Sequence, residues 1–158
     1  MGQAETSLQT DRLVLRRLSF WDGAFVLRLV SQPKTRRYLG GVQPFFQRMR
    51  HLPRYWDGLV FRCVWQRPRI CFVSLSQHID GEALELSYQF LPASWGQGLA
   101  TEACGAVLSY ADQYLSDQKV IAETQIANGV SIRVLQKLGF KEKTRVSRHG
   151  AEHGIYQR

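Results

Sequence analysis

The stretch Leu91-Pro92-Ala93-Ser94-Trp95-Gly96-Gln97-Gly98-Leu99-Ala100-Thr101-Glu102-Ala103 is a glycine-rich turn that runs directly into a helical pattern. Before it, Leu84 to Phe90 alternates like a strand, and after it apolar residues recur at helical spacing: Ala103, Cys104, Val107, Leu108 and Ala111. The first turn of a helix has backbone N–H groups without intrahelical partners, and glycines let a phosphate group approach them closely. The stretch therefore predicts a binding site for an anionic cofactor.

The spacing of the glycines alone leaves an alternative open. The string Gly96-x-Gly98-x-x-Thr101 lacks the third small residue of the dinucleotide fingerprint, and it also lacks the Gly-Lys-Ser/Thr ending of a P-loop. An ordinary strand-to-helix turn fits the same spacing, so the wider sequence has to decide.

Composition indicates one globular domain that spans residues 1–158. No apolar run approaches the length of a membrane span, and the N-terminus lacks the apolar core of a secretion signal. We therefore expect no membrane partner and a cytoplasmic location. The three cysteines, Cys63, Cys71 and Cys104, lack CxxC spacing, and we interpret them as reduced core residues that form neither a metal site nor a disulfide framework.

The net charge of +8 raises the question of a nucleic-acid partner, because cationic surfaces attract phosphate backbones. The arginines are dispersed over several segments, and no nucleic-acid module is evident. The sequence therefore does not favour specific nucleic-acid binding, and the surplus charge is available to a polyanionic cofactor.

Two short motif matches are set aside. Met1-Gly2-x-x-x-Thr6 fits the loose myristoylation pattern, but the match is short and a strand follows closely. His149-Gly150-Ala151-Glu152-His153 fits a zinc-protease string, which requires a helix, whereas Gly150 and Gly154 indicate a hairpin turn.

Strands and helices can be predicted along most of the chain. Short turns imply an antiparallel meander, and a strand-helix-strand crossover around the long helix implies one parallel pair. Asn128 is expected to cap the last helix, and Gly139 to end it. The predicted strands are Leu13–Leu18, Leu59–Gln66, Ile70–Gln77, Ala83–Phe90, Lys119–Ile126, Phe140–Ser147 and Gly154–Gln157, with helices near 24–30, from Gly98 or Ala100, and over Val130–Leu138. The fold class is α+β with a mixed, largely antiparallel sheet.

Several motifs in this order resemble one family. They are Tyr88-x-x-x-Pro92, the segment from Trp95 to Ala103, Asn128-x-x-Ser131 and the segment from Val134 to Phe140. Together they resemble the GCN5-related N-acetyltransferase (GNAT) superfamily. Leu8–Arg17 and Pro33-x-x-x-Arg37-Tyr38 are similar to its branch of ribosomal-protein N-terminal acetyltransferases (RimJ/RimL-like).

The resemblance implies a fold and a reaction. The fold would be a single GNAT-like domain whose mostly antiparallel sheet is splayed between the central strands and flanked by helices. The cosubstrate would be acetyl-coenzyme A (acetyl-CoA) without a metal, and the acceptor an amine of a protein N-terminus or a small molecule. The segment from Gly40 to Trp56 would bind the acceptor, although core packing of Phe45, Phe46 and Trp56 explains it equally well. A homodimer is left open.

The resemblance also implies which residues hold the cosubstrate. The diphosphate would lie on the glycine-rich turn, and the pantetheine arm along the strand before it. There, a main-chain N–H near Ser87 to Gln89 would bond the thioester oxygen. The expected contacts are Ser87, Tyr88, Gln89, Trp95, Gly96, Gln97, Gly98, Leu99, Ala100, Thr101, Asn128, Ser131 and Arg133. Arg133 would meet the ribose phosphate or face solvent.

Acetyl transfer to an amine needs a base, because the amine is mostly protonated at neutral pH. Glu85 is the first candidate, since strand alternation groups it with Ser87 and Gln89 and desolvation would raise its pKa. A solvated glutamate fits the pattern equally well, and His78 is a weaker alternative. The resemblance implies that Ser131 could protonate the departing thiolate. Many superfamily members carry a tyrosine acid at the position that is Leu135 here, so Ser131 or direct departure of the thiolate remains.

Two other function classes use parts of this pattern. A nicotinamide-dependent oxidoreductase would use the glycine turn, but it needs repeated βαβ units where this chain has hairpins. A catalytically silent CoA-binding sensor or ribosome-associated module would keep the cofactor site without turnover. The leading prediction is an acetyl-CoA-dependent N-acetyltransferase.

Overall fold

In the described part of the chain, eight strands form one sheet with helices on both faces. The computed structural model describes residues 7–51, 53, 58–65, 68–81 and 83–158. For residue 51 it describes the main chain alone. The strands are β1 (Ser7–Gln9), β2 (Leu13–Arg17), β3 (Leu59–Trp65), β4 (Arg69–Gln77), β5 (Leu84–Phe90), β6 (Val120–Gln125), β7 (Lys141–Arg148) and β8 (Ala151–Gln157). The myristoylation-like match lies outside the described residues.

The strand order is β1-β2-β3-β4-β5-β6-β8-β7. Every neighbouring pair is antiparallel except β5 and β6, which run parallel. This confirms the predicted mixed and mostly antiparallel sheet. β1 was not predicted, because a three-residue strand is too short to show alternation.

The helices of the described residues are α1 (Gly23–Val30), α2 (Pro33–Arg36), α3 (Phe45–His51), α4 (Leu99–Tyr114) and α5 (Gly129–Lys137). Single 3₁₀ turns at Phe20–Asp22 and Pro92–Ser94 precede α1 and α4. The side chain of Asn128 accepts a hydrogen bond from the N–H of Ser131, and Gly139 has a φ of +87°, so both predicted ends of α5 are confirmed. Among the described residues, no helix is long and apolar enough to cross a membrane.

The two faces of the sheet are buried by different helices. α4 buries its apolar side, including Leu99, Ala103 and Val107, in a cluster that also contains Leu86 and Phe90 of β5. On the other face, α1 packs Phe25, Val26 and Leu29 in a second cluster with Val60 and Phe72. Because strand residues alternate between faces, Glu85, Ser87 and Gln89 lie on the face that α1 covers, as predicted.

The cysteine prediction was wrong for two of the three residues. Cys63 and Cys71 form a disulfide between β3 and β4, where they are direct partners with a Cα–Cα distance of 5.1 Å. Antiparallel pairing brings residues eight positions apart face to face, so the absence of CxxC spacing was no argument against a bond. Only Cys104 is free, and it is buried. Since disulfides persist mainly in oxidising compartments, cysteine usage no longer supports a cytoplasmic location.

Two further sequence interpretations can be compared with the structure. The prediction that Phe45 and Phe46 pack in the core is wrong, because these side chains are 56% and 85% exposed. Trp56 lies outside the described residues. The predicted hairpin is confirmed: His149 and Gly150 both have positive φ angles and join Arg148 of β7 to Ala151 of β8. The zinc-protease string is therefore not on a helix.

Candidate active site

The central feature is the separation of β5 from β6. These strands pair only at Leu84 with Val120 and at Glu85 with Ile121, and the rest of β5 has no partner in β6. The N–H of Leu84 points toward β6, because it donates to the carbonyl oxygen of Lys119 at 2.9 Å. Since main-chain groups alternate between strand edges, the N–H groups of Leu86 and Tyr88 face the same opening. This V-shaped opening is called the cleft below.

The glycine-rich turn lies between β5 and α4. Gly96 and Gly98 have φ angles of +76° and +75°, a region that favours glycine. The first helical bond of α4 runs from the N–H of Glu102 to the carbonyl oxygen of Gly98, at 3.1 Å. No side chain caps the helix at Gly98, so the preceding N–H groups, among them those of Leu99, Ala100 and Thr101, lack helical partners. The turn thus presents donors and the positive end of the helix dipole to an anion.

Arg12 braces this turn from β2. Its guanidinium donates to the carbonyl oxygen of Gln97 at 2.9 Å and forms an ion pair with Glu102 in the first turn of α4. On the other side, the indole N–H of Trp95 donates to the carbonyl oxygen of Phe90 at 3.0 Å. These contacts fix the turn relative to the end of β5.

On the α4 and α5 side of the sheet, Tyr88 meets Ser131. The two hydroxyl oxygens are 2.7 Å apart, and the N–H of Ser131 donates to the Asn128 side chain at 3.2 Å. Burial raises the pKa of Tyr88 well above its usual range, so this phenol stays protonated at physiological pH. Tyr88 and Ser131, which the sequence proposed separately, form one hydrogen-bonded unit.

On the α1 side of the sheet, Glu85 is partly buried. Its only hydrogen bond among the described residues comes from the hydroxyl of Ser87, at 3.2 Å, and no cation lies within ion-pair distance. Burial raises the pKa of Glu85, and the carboxylate of Glu123 adds to this, while His78, Ser87 and Arg148 oppose it. A carboxyl group with a raised pKa and no cationic partner is suited to accept a proton.

Both ring nitrogens of His78 are engaged, which makes His78 less suited than Glu85 to accept a proton. Nε2 lies 3.1 Å from a carboxylate oxygen of Glu123, and Nδ1 accepts from the N–H of Asp80 at 3.3 Å. Glu123 also contacts Nδ1 of His153 at 2.9 Å and Nε of Arg148 at 3.3 Å. We had not assigned Glu123 to this site, although β6 alternation places it on the face of Ile121, beside Glu85.

The remaining predicted residues differ in their surroundings. The amide oxygen of Gln89 is buried without a hydrogen-bond partner in the described part of the chain. Arg133 is exposed on α5, where it is free to reach a ligand or solvent. Leu135 is 1% exposed and packs in the core.

Comparison with known proteins agrees with the motifs. A family model described as "Acetyltransferase (GNAT) domain" matches residues 12–141. The "Uncharacterized N-acetyltransferase YoaA" of Bacillus subtilis (strain 168) is 25% identical over 154 residues, which cover 86% of this chain and 83% of that protein.

Solved structures show the same fold. The acetyltransferase (GNAT family) from Bacillus anthracis matches with a TM-score of 0.82 at 19% identity, over 97% of this chain and 98% of that one. RimL, a ribosomal L7/L12 alpha-N-protein acetyltransferase solved in complex with coenzyme A, matches with a TM-score of 0.77 at 14% identity, over 97% of each chain.

Because the family model covers most of its length, the chain belongs to the acetyltransferase (GNAT) domain family and is an acetyl-CoA-dependent acyltransferase.

The backbone of the glycine turn yields a prediction. Gly98→Ala should destabilise the protein by about 1 kcal/mol and weaken acetyl-CoA binding, because alanine disfavours a φ of +75°. Space is not the obstacle, since an added Cβ would lie 3.6 Å from the nearest atom, Nη2 of Arg12. Denaturant unfolding and calorimetric titration of acetyl-CoA measure the two effects.

Gly105→Ala is the matched control within the same helix. Its added Cβ would make an ordinary contact of 3.8 Å with Leu138, and its φ is not in the left-handed region, so this change should stabilise by about 0.5–1 kcal/mol. Equal effects of the two substitutions would contradict the role of the turn conformation.

Proposed function

We propose that this acetyltransferase moves the acetyl group from acetyl-CoA to a primary amine by direct attack of the amine on the thioester. The supporting observation is the cleft itself: β5 leaves β6 next to the uncapped start of α4, with Glu85 on one face of β5 and the Tyr88–Ser131 pair on the other. A donor and an acceptor entering from opposite faces would meet at β5.

The residues present fit the cosubstrate. Its diphosphate would take hydrogen bonds from the N–H groups of the 96–101 segment, where the helix dipole favours negative charge. Its pantetheine amides would pair with the free edge of β5 as a neighbouring strand would. The buried amide oxygen of Gln89 and the side chain of Asn128 supply further polar contacts, and Arg133 lies on the helix that borders the cleft.

Glu85 acts as the base in this proposal. It takes the proton that the amine must lose, either directly or through a water molecule. Its raised pKa makes the carboxylate a stronger base, because it brings the pKa of Glu85 closer to that of the amine. The amine nitrogen forms the new bond to the carbonyl carbon, and the carbon–sulfur bond then breaks.

The main-chain N–H of Tyr88 supplies the oxyanion contact, because it faces the cleft where β6 has separated. Ser131 donates its hydroxyl hydrogen toward the departing sulfur, which leaves as a thiolate or takes that proton. The Tyr88 phenol is a positioning residue that holds the Ser131 hydroxyl at 2.7 Å. A thiol pKa of about 8.5 makes this help useful without making it indispensable.

The acceptor in this proposal is an amine of a protein N-terminus or of a small molecule. Motifs at Leu8–Arg17 and Pro33–Tyr38 favour the branch that acetylates ribosomal-protein N-termini, and a small-molecule amine is the other candidate. The net charge of +8 mildly disfavours polycationic acceptors. A cytoplasmic location and a homodimer stay predictions.

The reaction class has a direct test. Acetyl-CoA, but not NAD, should raise the melting temperature, because only the former matches the cleft. Free thiol should then appear with at least one member of a panel of N-terminal peptides and small amines, detected with a thiol reagent. Stabilisation without thiol release across the whole panel would support a silent CoA sensor and contradict the proposed transferase.

Glu85→Gln should lower kcat/KM by about 10²-fold or more, the usual contribution of a general base. The rate should also depend more steeply on pH, since only the free-amine fraction would then react. Rates measured from pH 6 to 10 test this. Glu152→Gln, at an exposed glutamate of β8, is the control, and a Glu85→Gln profile that parallels wild type would remove Glu85 as the base.

Unfolding offers a second readout for Glu85. Its folded pKa lies above the unfolded value of 4.5, so its ionisation disfavours folding as pH rises through the folded pKa. Glu85→Gln should therefore be more stable relative to wild type at pH 7.5 than below pH 4.5.

Ser131→Ala and Tyr88→Phe should each lower kcat by about tenfold, with a smaller change in KM for acetyl-CoA. The two hydroxyls act as one unit, so the double variant should lose little more than either single variant. Steady-state kinetics of the four proteins complete this double-mutant cycle. Additive losses, or an effect confined to KM, would contradict a joint catalytic role.

A further inference from the structure

Three arginines lie together on the face of the sheet that α1 covers, away from α4. Arg16 of β2 and Arg62 of β3 are direct partners across the strand pair, and Arg69 begins β4 next to Val64. Like charges placed directly opposite each other on neighbouring strands destabilise a sheet. An anion bound between these side chains would relieve their mutual repulsion.

One buried carboxylate organises two of these cations. Asp22 is fully buried before α1 and lies 3.1 Å from Nε of Arg62 and 2.9 Å from Nε of Arg69. It also accepts hydrogen bonds from the N–H and hydroxyl of Ser19, both at 2.9 Å. Both hydrogen bonds from Ser19 go to Oδ2, so Asp22 holds the two guanidinium groups by ion pairs with their inner nitrogens.

The outer guanidinium nitrogens of these arginines are available to donate hydrogen bonds to a ligand. Within the described residues, the Nη atoms of Arg62 and Arg69 form no hydrogen bond, and the side chain of Arg16 has no hydrogen-bond or ion-pair partner. Three cations against one carboxylate leave a net charge of +2. Guanidinium groups present paired N–H donors that match phosphate and carboxylate oxygens.

These donors border a groove of about 480 Å³, which is lined by Val14, Arg16, Arg62, Val64, Pro68 and Arg69. The groove has room for a small oxyanion, and among the described residues that line it the ionisable ones are the three arginines. It lies across the sheet from α4, so the predicted diphosphate site does not overlap it.

We propose that this groove, here called the arginine groove, is a second anion-binding site that takes a phosphate or polycarboxylate group of about two negative charges. It is independent of the acetyl donor site, and it would bind an effector or an anionic part of a larger acceptor.

Arg16→Gln tests the proposal cleanly, because Arg16 is exposed and pairs with no described residue. Calorimetric titration at constant ionic strength would use inorganic phosphate in one arm and citrate in the other, which separates the two anion types. Binding of the preferred anion should weaken about tenfold or more, the usual effect of losing a charged hydrogen-bond partner. Arg28→Gln, at an exposed arginine of α1, removes the same charge elsewhere and should bind like wild type.

Thermal unfolding in an anion-free buffer supplies the second signature. Arg16→Gln should melt at a higher temperature than wild type, because the opposed Arg16–Arg62 pair is gone. Any binding at α4 is common to all three proteins, so differences between them report on the arginine groove. Equal affinities of wild type and Arg16→Gln for both anions, or no binding of either anion, would overturn the proposal.

Discussion

The separation of β5 from β6 after two residue pairs is the constraint on which the site depends. A strand inside a sheet normally has both edges paired, and β5 gives up one of them over Leu86 to Phe90. The crossover through α4 lets the two strands run parallel at one end and diverge at the other. The same crossover puts the uncapped start of α4 at the open end, so the unpaired strand edge and the helix donors serve one elongated, anionic ligand.

Alternation along β5 divides the chemistry between two faces. Glu85 lies toward α1, where partial burial raises its pKa, and Tyr88 lies toward α5, where it contacts Ser131. A base and an acid on opposite faces of one strand cannot neutralise each other, and each can serve a different reactant. Around Glu85, the residues Glu123, His78, His153 and Arg148 pair with one another, and no described cation forms an ion pair with Glu85.

Local patterns predicted much of this from sequence. The glycine turn, the helical spacing after it, the Asn128 cap and the period-two pattern of β5 each involve residues close in sequence, and each appears in the structure. The contacts that could not be predicted from the sequence depend on how the strands are aligned with one another. Strand pairing brings residues that are distant in sequence close together. It produces the Cys63–Cys71 disulfide, the contact of Glu123 with His78, and the ion pairs of Asp22 with Arg62 and Arg69.

The most direct test of the account is a crystal structure with acetyl-CoA at saturating concentration. The account predicts that the diphosphate lies within hydrogen-bond distance of the main-chain N–H groups of residues 96–101, with the pantetheine arm along the free edge of β5 and the thioester oxygen at the N–H of Tyr88. A cosubstrate bound elsewhere, or an empty cleft under these conditions, would contradict it.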